Sequence, residues 1–288
     1  MENCNYRGKE ICTYVLKDDN NLYISELVEE LKIAAANGEL TCCDCNERVY
    51  LAAGPIMEPY FAHYDKLHCE YSDLVESEEL KKGKRLLYQL LSRSYPNQTI
   101  HARYHMKNGM FSTCFVKLPG GLKLAIDYRL QNTAIDKFFA RDIYYKEEKI
   151  KAIYILGSEL NAEGAQLSWY ENLIQKAMGC CVFLDTQSET LCLKKGYDYK
   201  INGRRKINIC QKEYAIQKLL LHYDGNFLSD FSYECQKIED MIQKEKNSIR
   251  KLPEGIRPDI LQSAIECIKR GEDYLVSQRY LDYIRLKK

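Results

Sequence analysis

The chain has 288 residues and a mass of 33.7 kDa, with 45% hydrophobic and 29% charged residues and a formal net charge of +1. Those values exclude a disordered or fibrous chain and leave room for one large domain or two ordinary ones. A charge so near zero names no partner, so any contact with a polyanion must come from local clusters. The opening MENCNYRGKE lacks an apolar signal region, and no apolar run reaches membrane-spanning length, so a soluble, cytoplasmic protein without membrane contact is expected. In that compartment the 13 cysteines stay reduced, and clustered ones suggest a metal before a disulfide.

In chain order, ICTYVLKDDNNLYI alternates loosely and predicts a hairpin turning at Asp18-Asp19-Asn20-Asn21. Ser25 is expected to cap a helix with Glu26 and Glu29 in its first turns, and Gly38 to close it. Then comes LTCCDCNERVYLAAGPIMEPYFAHYDKLHCEY. Cys42 and Cys45 form a Cys-x2-Cys knuckle, His63 follows on a short aromatic strand, and Cys69 lies six residues on. Two ligands three residues apart chelate one ion from a tight turn, and a second pair completes a tetrahedral Cys3His set suited to zinc. Four protein ligands leave no open position, so the zinc is expected to be structural. Cys43 and His68 each neighbour a proposed ligand and remain alternates.

From Ser72 a helix is expected, with Asp73 and Glu76 as a capping box, Leu80, Leu86, Leu87, Leu90 and Leu91 as its apolar side, and Pro96 as its stop. Lys81, Lys82, Lys84 and Arg85 form a basic side, either solvated or in contact with phosphate. Thr99 to His105, Met110 to Leu118 and Leu122 to Leu130 read as strands, turned at Asn108-Gly109 and Pro119-Gly120-Gly121 into an antiparallel meander. A helix from Asn132 to about Glu148 places Ile135, Phe138, Phe139 and Ile143 at helical spacing, and KAIYIL reads as a buried strand reached by a crossover. Asp127, Arg129 and Gln131 alternate along the third strand and share a face at its end, where open sheets hold their chemistry. His101 and His105 are expected on one face of the first strand.

Residues 162 to 178 suggest a helix carrying Trp169, CCVFLD and ETLCLKK a strand pair, and YDYKINGRRKINIC a hairpin on Asn202-Gly203. Arg204, Arg205 and Lys206 form a second basic cluster there. After Glu234 the chain turns helical, breaks around Pro253 to Pro258 and resumes from Asp259. The regions divide as 1–71, 72–160, 161–232 and 233–288. Isolated Cys12, Cys192, Cys210 and Cys267 read as small buried hydrophobes. The 23 tyrosines, interleaved with lysines, offer stacking surfaces for bases but read mainly as core and sheet residues.

Cys42-x2-Cys45, Phe61-Ala62-His63, Cys69, Glu76-Ser77, Gly83-Lys84, the strand ending at Asp127, and Arg141, Tyr144 and Tyr145 before KAIYIL occur in the order of a known family. From Leu40 to Leu156 the chain resembles the CoiA-like competence-associated proteins, in which a Cys/His module precedes a PD-(D/E)xK nuclease core. The resemblance implies an α+β fold: a restriction-endonuclease-like αβββαβ mixed-sheet core with a small N-terminal zinc module and a C-terminal helical extension. Such a core holds Mg2+ or Mn2+ on acids at adjacent strand ends, and the ion activates water. Here the first acid falls near Cys114, within Ser112-Thr113-Cys114, the second on Asp127 and its positioning partner on Arg129; Leu80 stands where relatives carry histidine. Glu76, Asp127 and Gln131 are left as the remnant catalytic set. The implied function is a degenerate nuclease-like protein that binds DNA or other nucleic acid, through Lys81, Lys84, Arg85, Arg204, Arg205 and Lys206, or joins a protein partner in DNA processing or phage defence. The alternative is an active divalent-metal-dependent nuclease with a rearranged site, so whether the protein is an enzyme stays open at this point.

Overall fold

The computed structural model describes the chain apart from residues 19–21, 55–57, 66–68, 70–75, 108, 202, 248–251 and 287–288. The expected turn residues Asp19, Asn20, Asn21, Asn108 and Asn202, the capping residue Asp73 and the alternate ligand His68 lie outside the described residues. The chain divides into two compact units, one of Met1–Ala162, Ser168–Leu193 and Lys212–Ser229, the other of Glu163–Leu167, Lys194–Gln211 and Asp230–Lys288.

The first unit opens on an antiparallel hairpin of β1 (Asn3–Tyr6) and β2 (Lys9–Cys12). Arg7 and Gly8 turn it with φ of 50° and 77°, the doubly left-handed turn that matches strand twist. This replaces the hairpin expected from residue 10 onward: Thr13–Leu16 is a 3-10 turn, and only the bridge Lys17↔Tyr23 joins the flanks of the Asp18 turn. Helix α1 (Ser25–Ala36) begins at Ser25 itself, with Ile24 at the cap position and no side-chain cap bond. Strand β3 (Leu40–Thr41) joins β1, and β4 (Val49–Ala52) pairs with β5 (Tyr60–His63). Cys4, Leu16, Leu31, Leu40, Val49 and Phe61 close the core of this module.

The expected order of helix, three strands, helix and strand is present as α2 (Glu78–Ser94), β6 (Ile100–His105), β7 (Phe111–Lys117), β8 (Lys123–Arg129), α3 (Ile135–Glu147) and β9 (Ile150–Gly157). Ser77 caps α2 by accepting the Leu80 amide at 3.2 Å. β6, β7 and β8 form the antiparallel meander, and β9 runs parallel to β8 over its whole length, from Lys123↔Ile150 to Arg129↔Leu156. Next come α4 (Trp169–Met178), started by a Ser168–Glu171 capping box, and the strands β10 (Cys181–Asp185), β11 (Thr190–Ile201) and β12 (Arg204–Ala215). The result is a seven-stranded mixed sheet in the order β12-β11-β10-β9-β8-β7-β6.

Successive strand residues face opposite sides of a sheet. Tyr128 points to α2, where Gly83 leaves room for its ring; a Cβ at that glycine would overlap the ring. Asp127 and Ala125 point the other way, toward α3 and the cluster of Phe115, Phe138, Tyr145, Tyr154 and Ile174. Cys114 pairs with Ile126 and therefore shares the α2 side.

The second unit contains the far part of the β11–β12 hairpin, α5 (Phe231–Asn247), α6 (Pro258–Lys269) and α7 (Gln278–Arg285), with Ile256, Ala264 and Tyr280 as a small core. The helical C-terminal stretch broken before Pro258 is as expected. Cys12, Cys192 and Cys210 are buried, while Cys267 is half-buried. Among the described residues no helix is long and apolar enough to cross a membrane.

Gly83→Ala is expected to cost about 1–3 kcal/mol in urea denaturation, the range for overpacking a filled interior. Combined with Tyr128→Ala, the total loss should fall below the sum of the single losses, because the smaller side chain removes the clash.

Candidate metal centre and the Asp127 cluster

The Cys/His module brings its four side chains together. The ligand atoms of Cys42, Cys45, His63 and Cys69 all lie within 4.8 Å of one another, and Cys45 Sγ is 3.2 Å from His63 Nε2. A tetrahedral ion with bonds of about 2.0–2.3 Å sets its ligand atoms about 3.3–3.8 Å apart, so the four would need to close by at most about 1.5 Å around it. The knuckle forms because Asn46, at φ 60°, turns the chain back: its amide donates to the Cys42 carbonyl at 3.0 Å, and the Asp44 amide donates to Cys42 Sγ at 3.4 Å. The β4–β5 pairing sets Val49 opposite His63 and so delivers the imidazole. Cys42, His63 and Cys69 are buried and Cys45 is half-buried. Burial lowers the His63 pKa, which favours the neutral, ligating imidazole, and pushes the Cys42 thiol up to about 11 in the absence of a cation. The alternate Cys43 is exposed, with its thiol 3.6 Å from Asn5 Oδ1.

Asp127 is 1% exposed and fully engaged. Arg141 Nη1 donates to its two carboxylate oxygens at 3.1 and 3.2 Å and to the Phe111 carbonyl at 2.8 Å, and the Tyr145 hydroxyl donates at 2.9 Å. Arg129, the partner expected from spacing, lies further away at 3.9 Å. The Tyr145 pKa is raised well out of reach, first by burial and then by the Asp127 charge, so the phenol keeps its proton for that bond. Glu76, Asp127 and Gln131 do not converge: Glu76 binds Lys84 on the α2 side, Asp127 faces α3, and Gln131 is exposed beyond the end of β8. Cys114 is fully buried on the α2 side, opposite in facing to Asp127.

The basic side of α2 is largely internal. Lys84 is 6% exposed and binds Glu2 and Glu76; Arg85 is 4% exposed and donates from Nε to Glu58 Oε1 at 3.2 Å. Only Lys81, paired with Glu78, and Lys82, paired with Glu189 at 3.1 Å, reach the surface in part. Buried ammonium and guanidinium groups already neutralised by carboxylates hold the helix to the N-terminal module and do not present charge to a polyanion. Arg204, Arg205 and Lys206 follow the turn at Gly203 and are exposed, but each meets an acid: Glu266, Asp198 and Glu245. Glu2 and Glu58 were invisible as partners in sequence, since they lie 82 and 27 positions from their cations.

His101 and His105 stand opposite Phe115 and Phe111 in the β6–β7 register, each ring near its partner. Between them Arg103 has φ 46°, and Tyr104 stacks on Phe115 at 4.0 Å while Ala102 packs with Cys12 and Tyr14. His101 meets Glu10 at 3.3 Å and His105 meets Asp44 at 3.1 Å. Both line a cleft of about 520 Å³, but they join no common ligand set among the described residues.

Residues 25–72 match the family model of the competence protein CoiA, N-terminal domain. The resemblance read from the Cys/His spacing is borne out over that stretch, which contains the whole four-ligand cluster and ends well before Asp127. No curated protein and no solved structure matches the chain.

Three outcomes follow from these geometries. Elemental analysis of purified protein should find about one divalent ion per chain, lost in Cys45→Ser and accompanied by a lower melting temperature. Lys84→Ala, which strands two carboxylates, should cost about 3–5 kcal/mol, against no more than about 0.5 kcal/mol for Lys81→Ala. Burial alone would raise the Glu2 pKa, but the Lys84 charge and hydrogen bond more than offset this and hold it low. Its contribution is therefore complete above the unfolded carboxyl value of about 4.3 and is lost as pH falls through the lower folded value. Acid titration of stability should show this loss in the wild type and a smaller one in Glu2→Gln.

Proposed function

We propose that the protein is a non-catalytic, CoiA-related component of DNA processing. In this reading α2, β6, β7, β8, α3 and β9 are a nuclease-like core that has given up hydrolysis, and zinc in the Cys42, Cys45, His63 and Cys69 site holds the N-terminal module rigid. The observation that carries it is the state of Asp127. A hard divalent cation needs several open oxygen ligands. This carboxylate instead lies buried against Arg141 and Tyr145, with Cys114 facing away and Glu76 tied to Lys84. Zinc fits the other centre because three thiolates and one imidazole form a closed set with no position for water. Its chain residues would fix the knuckle and the β4–β5 hairpin to one another and perform no chemistry.

What remains for such a core is binding and assembly. The competence description of the matched N-terminal model supports a role with DNA. The start of β8 adds local support: Lys123, opposite Lys117 in the β7–β8 ladder, is taken up by the Glu148 carbonyl at 2.9 Å and carboxylate at 3.5 Å, while Lys117 is exposed where a phosphate backbone could meet it.

The test is incubation of the purified protein with single- and double-stranded DNA in Mg2+ or Mn2+. No cleavage is expected, with salt-sensitive DNA binding that weakens in Lys117→Glu. Asp127→Ala should lower stability by about 3 kcal/mol by stranding the buried Arg141 charge. Metal-dependent cleavage abolished by Asp127→Ala without loss of fold would reject the non-catalytic reading in favour of an active, rearranged nuclease.

A further inference from the structure

The cleft beside β6 is used neither by the four-ligand cluster nor by Asp127. Its volume of about 520 Å³ lies within the range of small-molecule sites, and Asn3, Glu10, Asp44, His101, Arg103 and His105 are among the residues that line it. β6 is the last strand of the seven-stranded sheet, and His101, Arg103 and His105 alternate along it. One edge strand thus supplies three basic side chains to one hollow.

The backbone is bent to suit. Between the pairs Ala102↔Cys114 and Tyr104↔Ser112, Arg103 holds φ at 46°, which a residue with a side chain seldom does within a strand. Such positions gather at ligand sites, where the surrounding structure holds them in place. The acids of the cleft are already engaged: Glu10 accepts from Asn3 Nδ2 at 2.6 Å and meets His101 Nδ1 at 3.3 Å, and Asp44 meets His105 Nε2 at 3.1 Å. Each carboxylate therefore orients an imidazole. With Nδ1 turned to Glu10, His101 keeps Nε2 for a ligand.

We propose that this cleft binds a terminal phosphate, the phosphomonoester at the end of a nucleic-acid strand or on a mononucleotide. Arg103 is the principal contact. Its planar fork carries five N–H donors, enough to serve a phosphate beside neighbours it already has, such as the Phe111 ring, whose centre is 5.5 Å from Arg103 Cζ. His101 closes the contact through one proton, held between its Nε2 and a phosphate oxygen. A monoester offers three free oxygens and up to two charges, so it suits convergent donors better than the singly charged diester inside a strand. The choice of a strand rests on the DNA-processing reading above, whereas the phosphate site rests on the residues of the cleft.

Fluorescence anisotropy of the full chain with short labelled single strands, phosphorylated at one end, at the other or at neither, tests binding of strand ends. Calorimetry with adenosine monophosphate and with inorganic phosphate tests the free ligands. A phosphorylated strand should bind about tenfold more tightly than one ending in hydroxyls. Arg103→Gln and His101→Ala should each erase most of that ratio, and Arg103→Lys, which keeps the charge without the fork, should leave an intermediate one. His101→Ala carries the test by itself if Arg103→Gln does not fold. Lys117→Glu should weaken all strands alike and preserve the ratio, since it lies outside the cleft. A ratio near one, with binding of adenosine monophosphate that depends on Arg103, upholds the phosphate site and assigns it to free nucleotides. If no strand binds at all, the DNA-processing reading fails and adenosine monophosphate still decides the cleft. A ratio near one, or no strand binding, without binding of adenosine monophosphate or inorganic phosphate up to about 10 mM overturns the proposal, as does a preference that both Arg103→Gln and His101→Ala leave intact.

Discussion

The buried carboxylate of Asp127 is the constraint around which the central sheet is built. An ionised group removed from water must find its compensation nearby, or the desolvation cost of several kcal/mol stands unopposed. Here the compensation comes mainly from one side, from Arg141 and Tyr145 on α3, with Arg129 further off at 3.9 Å. The crossover helix is therefore tied to the strand that precedes it, and β9 is delivered into a parallel register seven residues long beside β8. The same arginine also holds the Phe111 carbonyl, so β7 shares the anchor.

A second set of internal charges performs the corresponding task on the opposite side of the sheet. Lys84 reaches Glu2 on the incoming chain, and Glu58 in the segment before β5 receives both Arg85 and Lys17. Apolar packing attaches the N-terminal module without preferring one orientation, whereas paired ions fix which groups must face each other. The two faces of the sheet thus carry oppositely composed anchors, acid from the strand on one side and base from the helix on the other.

Much of the order of elements was legible because its signals are local. Asn108-Gly109 and Pro119-Gly120-Gly121 separate three alternating runs, and KAIYIL follows a helix of crossover length. The metal ligands were legible for the same reason, as the knuckle and hairpin positions are set by short-range turns. What spacing could not supply was pairing across distance. Lys84 and Arg85 look like a surface stripe on a helical projection, and nothing near them in sequence announces Glu2 or Glu58. Asp127, Arg129 and Gln131 alternate as a strand should, but β8 ends at Arg129 and the carboxylate turns to Arg141 instead. The β1–β2 hairpin was one local miss, beside the helix caps expected at Ser25 and Asp73: Arg7-Gly8 carried its turn, but four-residue strands give too short an alternation to be noticed.

The four-ligand cluster can finally be considered as polymer physics. An ion held by Cys42, Cys45, His63 and Cys69 is a cross-link that closes the intervening chain into a loop. Closing a loop of that length removes freedom from the unfolded ensemble worth about 3 kcal/mol in the chain-entropy account. The module already has thirteen buried residues in its core, and an ion held at the cluster would add to them a stabilisation that grows with the free metal concentration around the chain.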